Sequence, residues 1–212
     1  MVIMFSRLLS KVPLISNRTK ILISSALLFF ALLLCIINPD SFSSKLCLLA
    51  MLLSFLGDIS LNIMPLNKRP HSLLYVGAFF FMVSHLIYAS AYNYMIQLSG
   101  KEYSNPGAYI AYGIMVLVLL ISIICIYIKS KSLKTSMIFV FILYILIISI
   151  NLITIYSYSW SFKALSFIGA TSFLVSDYII GIENIFKIKN DTLRKLVWIF
   201  YPVGQILILA CR

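Results

Sequence analysis

The sequence predicts an all-α protein, a polytopic bundle of transmembrane helices with seven spans and a further span at the amino terminus left open. Of its 212 residues, 62% are hydrophobic and only 11% are charged, and the mean hydropathy is +1.04. Soluble domains have roughly 45–50% apolar and about 25% charged residues. These values exclude an ordinary water-soluble protein, a disordered chain and a disulfide scaffold.

The spans follow from length, because a helix that crosses about 30 Å of hydrocarbon needs roughly 20 apolar residues. Turn and charge signals separate the apolar runs. Several runs are rich in Ile and Val, but in lipid each segment must satisfy its own backbone groups, so their length favours helices. Seven runs qualify, at 21–37, 46–63, 73–96, 108–128, 136–155, 162–181 and 196–210.

The basic residues indicate the orientation of the spans. The chain has 17 basic and 6 acidic residues, for a net charge of +11. Thirteen of the basic residues lie on one side of the predicted membrane: Arg7, Lys11, Arg18, Lys20, Lys68, Arg69, Lys129, Lys131, Lys134, Lys187, Lys189, Arg194 and Lys195. By the positive-inside rule the amino terminus is cytoplasmic and the carboxyl terminus lies on the opposite side. We expect a multi-pass protein of a bacterial inner membrane, with membrane lipids and not nucleic acid as partners.

The amino-terminal segment, residues 1–20, is basic and allows two interpretations. Its apolar part is short and is interrupted by Arg7, Lys11 and Pro13. We favour a helix lying in the membrane interface, with an extra or re-entrant span as the alternative. No linker is long enough to separate domains, so residues 1–212 are predicted to form a single transmembrane bundle.

Three ionisable residues lie inside the predicted spans. Only Asp58 and Asp177 among the acidic residues, and only His85 among the histidines, fall within apolar runs. An aspartate at the centre of a span costs on the order of 2.5–3.5 kcal/mol to insert. Such residues face the bundle interior or a wet cavity and are candidates for function. Counting about 1.5 Å per residue from the span ends predicts both aspartates at similar heights near the cytoplasmic side, with His85 closer to the midplane.

Further polar residues share helix faces with these candidates. Tyr88 lies three residues after His85, and Tyr201 and Gln205 lie four residues apart on the last span. Together they predict a polar strip from the cytoplasmic face to the centre of the bilayer. A structural interpretation stays open, because an intramembrane aspartate or histidine can bridge helices without doing chemistry. Two histidines and four scattered cysteines fit no metal site, and no cofactor is expected.

Four sequence blocks around these residues are similar to a known family. They read LGD at 56–58, GAFFFMVSHLIY at 77–88, GATSFLVSD at 169–177 and YPVGQILI at 201–208. In this order and spacing, over roughly 45–210, they resemble the YhhN family of membrane proteins, whose animal members are lysoplasmalogenases.

The resemblance implies a bundle of about eight helices that hydrolyses the vinyl ether bond of lysoplasmalogens. The products would be a fatty aldehyde and glycerophosphoethanolamine or glycerophosphocholine. The family's two aspartates fall on Asp58 and Asp177, its histidine falls on His85, and its late polar position falls on Gln205.

The chain departs from the family pattern in two places. The family's first span is missing or reduced to residues 1–15, which affects the number of helices. Pro202 interrupts the family's Tyr-rich approach to the glutamine and favours a kink in the last helix.

The implied reaction suggests a role for each candidate. Vinyl ether hydrolysis needs one carboxylic acid to protonate carbon and one carboxylate to stabilise positive charge and activate water, as paired carboxylates do in glycoside hydrolysis. We assign Asp177 as the acid and Asp58 as the base or stabilising group, with the reverse assignment left open. The remaining candidates would orient water or bind a lysophospholipid substrate, with the two basic residues meeting its phosphate: His85, Tyr88, Tyr201, Gln205, Lys68 and Arg69.

Two other classes of function also fit the sequence. A proton-coupled transporter or exporter of a small amphiphile would need the same intramembrane acids and histidine. A structural membrane protein would tolerate neutralisation of both aspartates. Within the enzyme class, the natural substrate could be another lysolipid, and the sequence predicts no particular oligomeric state.

Overall fold

Seven α-helices make up nearly all of the part of the chain that the structure describes. This is a computed structural model, and it describes residues 14–64, 70–100, 106–129, 135–162, 164–186 and 190–210. Within these ranges there is no β-strand, and every helix is long and apolar enough to cross a membrane. The helices are α1 Asn17–Ile37, α2 Phe42–Asn62, α3 His71–Leu98, α4 Pro106–Lys129, α5 Thr135–Phe162, α6 Ala164–Phe186 and α7 Asp191–Ala210. The predicted all-α fold of an integral, multi-pass membrane protein is confirmed.

The helices extend beyond most of the predicted spans. The clearest case is α5, which continues to Phe162 although the apolar run was predicted to end at residue 155. The polar residues that follow do not end the helix, because Tyr156 and Ser157 are buried and the Ser157 hydroxyl donates to the carbonyl of Ile153 at 2.8 Å. Burial in the bundle thus extends a helix through residues that hydropathy alone places outside the membrane.

Short polar residues cap the beginnings of α1, α2 and α7. The Ser16 hydroxyl accepts from the backbone N–H of Thr19 at the start of α1, and Asn190 Oδ1 accepts from that of Thr192 at the start of α7. These are N-caps, which satisfy backbone donors that lack a partner within the helix. The first span thereby begins four residues earlier than predicted. Residues 1–13, in which an extra span or an interfacial helix is predicted, lie outside the described residues.

Six helices form a ring. α2 packs between α1 and α3, α3 packs against α5, α5 against α6, and α6 against α7, which returns to α1. α4 packs on α5 at the outside of this ring. Most of its large apolar side chains are exposed, as expected for a helix that faces lipid.

Glycines bring α6 and α7 into backbone contact. A Cβ added at Gly204 would lie 2.8 Å from the backbone nitrogen of Phe173, and one at Gly169 would lie 2.8 Å from Cβ of Leu207. Only glycine permits this close approach, which is typical of packed transmembrane helices. The α7 helix continues through Pro202. The close packing of α6 on α7 turns the inner face of α7 toward the other helices of the ring.

The interior of the ring is partly polar, whereas many large apolar side chains face outward. This arrangement suits a protein surrounded by lipid, because polar groups then find partners only inside. The buried polar residues that matter below come from all six helices of the ring: Ser24, Ser54, Asp58, Ser84, His85, Asn151, Ser176, Asp177 and Gln205.

Candidate active site

Asp58 joins three helices through one carboxylate oxygen. Its side chain, on α2, is 3% exposed. Oδ2 accepts a hydrogen bond from the Ser24 hydroxyl of α1 at 2.6 Å and another from the Tyr201 hydroxyl of α7 at 2.6 Å. Both donors are neutral hydroxyl groups, so they stabilise the buried carboxylate without bringing a compensating charge.

Asp177 lies in a different environment on α6, although it is equally buried at 3% exposure. Its Oδ2 lies 2.8 Å from Nε2 of His85 on α3 and accepts from the Tyr144 hydroxyl of α5 at 2.7 Å. The other oxygen, Oδ1, accepts a longer hydrogen bond of 3.3 Å from Ser176. This carboxylate therefore contacts a titratable donor as well as hydroxyl groups.

The imidazole of His85 is held on both nitrogens and on its ring. Nδ1 lies 2.9 Å from Nδ2 of Asn151 on α5. The ring of Phe173 lies over it with centroids 4.6 Å apart, and the ring of Tyr144 meets it edge-on at 5.9 Å. His85 has no freedom to turn without disturbing α5 and α6.

A second polar network lies beside the first, between α2, α3 and α7. The Tyr88 hydroxyl donates to Gln205 Oε1 at 2.8 Å, and Gln205 Nε2 donates to the Ser54 hydroxyl at 3.4 Å. Ser54 is in turn 2.7 Å from the hydroxyl of Ser84. These side chains are fully enclosed and satisfy one another, as buried polar groups require.

An apolar cleft lies between α2, α3, α5 and α6. The empty space between its walls is about 580 Å³, a figure that includes the open space at its mouth. The cleft is at the end of the bundle where α2 ends and α3 and α5 begin, the end that the basic residues predict to be cytoplasmic. Asp177 is the one carboxylate among its lining residues, which are Leu61, Leu74, Tyr75, Ala78, Phe81, Met137, Val140, Phe141, Tyr144, Asp177, Ile180 and Gly181.

The structure brings most of the predicted site residues into the ring but gives them different surroundings. Asp177 lines the cleft, whereas His85 does not line it and contacts Asp177 through Nε2. Tyr201 is a partner of Asp58. Tyr88 and Gln205 pair with each other and do not border the cleft.

Lys68 and Arg69, predicted to meet a phosphate, lie outside the described residues. Each of the two aspartates has its own set of hydroxyl donors. Within the described ranges, no three His, Cys, Asp or Glu side chains come together as a metal-binding group.

Three site residues were not found from the sequence. Asn151 is the only residue with a side-chain amide in α5, and Tyr144 lies seven residues before it on the same face. A lone amide in an otherwise apolar span was therefore an available signal, although its partner was not predictable. Ser24 is one of many serines, and nothing in the sequence distinguishes it from the others.

Comparison with known proteins supports one assignment. A profile described as the YhhN family matches residues 16–211, nearly the whole chain. Comparison with curated proteins and comparison with solved structures each gave no significant match.

Proposed function

The chain belongs to the YhhN family, and from that premise we propose that it is a membrane hydrolase that cleaves the vinyl ether bond of lysoplasmalogens. The observation that carries this proposal is the placement of Asp177 in the wall of an apolar cleft. A single-chain alkenyl lipid needs apolar space for its hydrocarbon and a proton donor beside its first two carbons. The cleft offers both.

The reaction consumes one water molecule and proceeds through a cation. A proton is added to the alkenyl carbon remote from oxygen, so the double bond is lost and an oxocarbenium ion forms. Water adds to the cationic carbon and loses a proton to a base, which forms a hemiacetal. The hemiacetal then breaks its bond to the glycerol oxygen, and the proton transferred there completes the alcohol while the aldehyde is released.

We assign Asp177 as the general acid. Its Oδ2 faces two donors, His85 and Tyr144, which leaves Oδ1 as the oxygen that holds the proton for the substrate. Once the proton has left, the same two donors stabilise the carboxylate that remains. Hydrogen bonds to an ionised group are stronger than those to a neutral one, so this arrangement favours proton release.

We assign Asp58 as the carboxylate that stabilises the cation. It does not border the cleft, but Phe81 does, and the Phe81 ring lies edge-on to Tyr201 with centroids 6.3 Å apart. One layer of aromatic rings thus separates the cleft from the Asp58–Tyr201 pair. At this range Asp58 acts through its negative charge, which interacts strongly in a site that excludes water. The reverse assignment, with Asp58 as the acid, has less support because Asp58 does not reach the cleft.

We propose that Lys68 and Arg69 bind the phosphate of the headgroup. They lie in the connection between α2 and α3, the two helices whose ends flank the cleft mouth. Two cations at that place would hold the headgroup at the surface while the hydrocarbon chain enters the cleft. With the amino terminus in the cytoplasm of a bacterium, the substrate would be taken from the inner leaflet of the inner membrane.

Transport of a small amphiphile is the second candidate. Buried polar groups continue beyond Asp177 through His85 to Asn151, and further polar side chains pair at Tyr88 and Gln205. Chains of this kind carry protons in transporters. A transporter would move the amphiphile across a bilayer and leave its bonds intact.

The experiment that tests the proposal is mass spectrometry of the purified protein in detergent, incubated with an alkenyl lysophospholipid. We expect fatty aldehyde from the wild-type protein and release that is about 10²–10⁴-fold slower from Asp177→Asn. The matched control is Asp40→Asn, the same change at an exposed residue in a connection. The saturated alkyl ether of the same headgroup should give no aldehyde. Absence of aldehyde from folded wild-type protein that moves the lipid across liposomes would replace hydrolysis with transport.

A further inference from the structure

We propose that Asn151 is a positioning residue that sets the tautomer of His85, with the ring proton on Nε2 and directed at Asp177. Asn151 is 4% exposed and His85 is 1% exposed. Their contact joins α5 to α3 through Nδ2 of the amide and Nδ1 of the ring, at 2.9 Å.

The tautomer follows from what each nitrogen of the ring faces. A neutral imidazole has one nitrogen that donates and one that accepts. An amide N–H can only donate, so with Nδ2 of Asn151 against it, Nδ1 must be the acceptor. The proton then resides on Nε2, where it donates to the carboxylate of Asp177 at 2.8 Å. Each donor in this line, Asn151 Nδ2 and His85 Nε2, then faces an acceptor.

Packing alone does not explain an amide at position 151. The Asn151 Oδ1 atom is buried and has no hydrogen-bond partner among the described residues. A leucine would fill similar space without leaving a buried acceptor unsatisfied, and such groups are unfavourable. The contact between its other polar atom, Nδ2, and His85 therefore explains why an amide is present at this position.

The alternative amide orientation makes a different prediction for the ring. Rotating the amide of Asn151 by half a turn places Oδ1 against Nδ1. Nδ1 would then have to carry a proton. A neutral ring would then present a lone pair from Nε2 to Asp177, which is matched only if Oδ2 of Asp177 carries the acid proton, whereas a cationic ring would donate from both nitrogens. The two orientations differ in the protonation of a single atom, which can be observed.

The role of the tautomer in the reaction rests on the proposed function. The Nε2–H group stabilises the Asp177 carboxylate that remains after proton transfer. Phe173 and Tyr144 already fix the plane of the ring, so Asn151 controls the position of the proton and not the position of the imidazole.

The direct test is nitrogen NMR of the imidazole in the full-length protein in detergent. The chain has two histidines, so His71→Gln leaves His85 as the only histidine signal. We expect a protonated Nε2 and an unprotonated Nδ1. In the Asn151→Asp variant of that protein the carboxylate accepts only, so Nδ1 becomes protonated. A protonated Nδ1 in the parent protein, or no change in Asn151→Asp, would overturn the proposal.

Turnover provides a second readout. We expect Asn151→Asp to lower kcat about ten- to a hundredfold, as loss of a residue that orients a ligand or base does in other sites. Binding of the saturated alkyl ether should change by less than about twofold, because Asn151 does not border the cleft. The control is Asn190→Asp, at an exposed cap where a carboxylate accepts the same backbone N–H groups. Weakened binding with unchanged kcat would overturn the positioning role.

The two proposals fail separately. If the wild-type protein releases no aldehyde, ether hydrolysis is wrong, but the NMR experiment still measures whether Asn151 sets the tautomer. If aldehyde is released and the tautomer does not respond to Asn151→Asp, the enzyme assignment stands and the role of Asn151 is wrong.

Discussion

Asp58 and Asp177 are the same residue type, equally buried in the same ring of helices, yet their environments differ. Asp58 accepts from two hydroxyl groups on α1 and α7. Asp177 contacts a histidine and a tyrosine and lines an apolar cleft. The first environment holds a charge in place and joins helices. The second also places an imidazole against the carboxylate and opens onto an apolar cleft.

The comparison teaches that burial alone does not identify a catalytic carboxylate. Removing a carboxylate from water is costly wherever it lies, and hydroxyl donors offset that cost at both sites. Chemistry additionally requires that the group reach a reacting atom. Of these two aspartates only Asp177 borders the cleft, and the following variants test whether this difference decides function.

The largest effect is expected from replacing each carboxylate, one at a time, by an amide. Asp177→Asn removes the proposed acid and should lower turnover by about 10²–10⁴-fold, the usual contribution of general acid catalysis. Asp58→Asn should lower turnover less, because it removes a charge that acts at a distance. Aldehyde release measures both, with Asp40→Asn as the control. Greater loss in Asp58→Asn than in Asp177→Asn would reverse the assignment of acid and stabilising group.

The next largest effect is expected at two tyrosines, each of which donates a hydrogen bond to one aspartate. Tyr144→Phe should lower turnover by about tenfold, since a hydrogen bond to a charged group contributes about 1.5–3 kcal/mol and part of this is felt in the transition state. Tyr201→Phe should mainly lower stability, by about 1–3 kcal/mol, because it removes one of two donors to a buried carboxylate. Turnover and thermal unfolding in detergent separate the two outcomes. Equal loss of activity in both variants would show that the aspartates act as one unit.

A smaller effect on activity is expected from two glycines. A Cβ at Gly181 would lie 2.8 Å from Cε2 of Phe141, and both residues line the cleft. Gly181→Ala should push that ring into the cleft and raise KM severalfold for long alkenyl chains, with less effect on short ones. A Cβ at Gly204 meets the backbone of Phe173 instead. Gly204→Ala should therefore lower the stability of the protein without changing how KM depends on chain length. A chain-length series measured on both variants distinguishes a cleft residue from a packing residue.

The smallest effect is expected at two serines, each of which donates a hydrogen bond to one aspartate. Ser24→Ala removes a 2.6 Å donor to Asp58 and should lower stability by about 1 kcal/mol or somewhat more. Ser176→Ala should cost less, because its hydrogen bond to Asp177 is 3.3 Å long and its hydroxyl also donates to a backbone carbonyl. Denaturation of the two variants in the same detergent measures the difference. A larger loss in Ser176→Ala would contradict the geometry.

The sequence was a good guide to which residues are unusual and a poor guide to their partners. Asp58, Asp177 and His85 stand out because ionisable groups are rare in apolar spans. Nothing in the sequence pairs His85 with Asp177, or Tyr201 with Asp58, because each pair joins helices far apart in the chain. Asn151 is a weaker signal in the sequence, because an amide costs less to bury than a charge.

The sequence by itself determined the seven spans and the short list of intramembrane polar residues. Both depend on properties of a local segment, namely its length, its hydropathy and the cost of placing a charge in lipid. The tertiary structure decided which carboxylate reaches the cleft and which partners each one has. Those facts depend on how each helix is rotated and where it crosses its neighbours. Contacts such as the one between Gly169 and Gly204 set these crossings, and they exist only when distant parts of the chain come together.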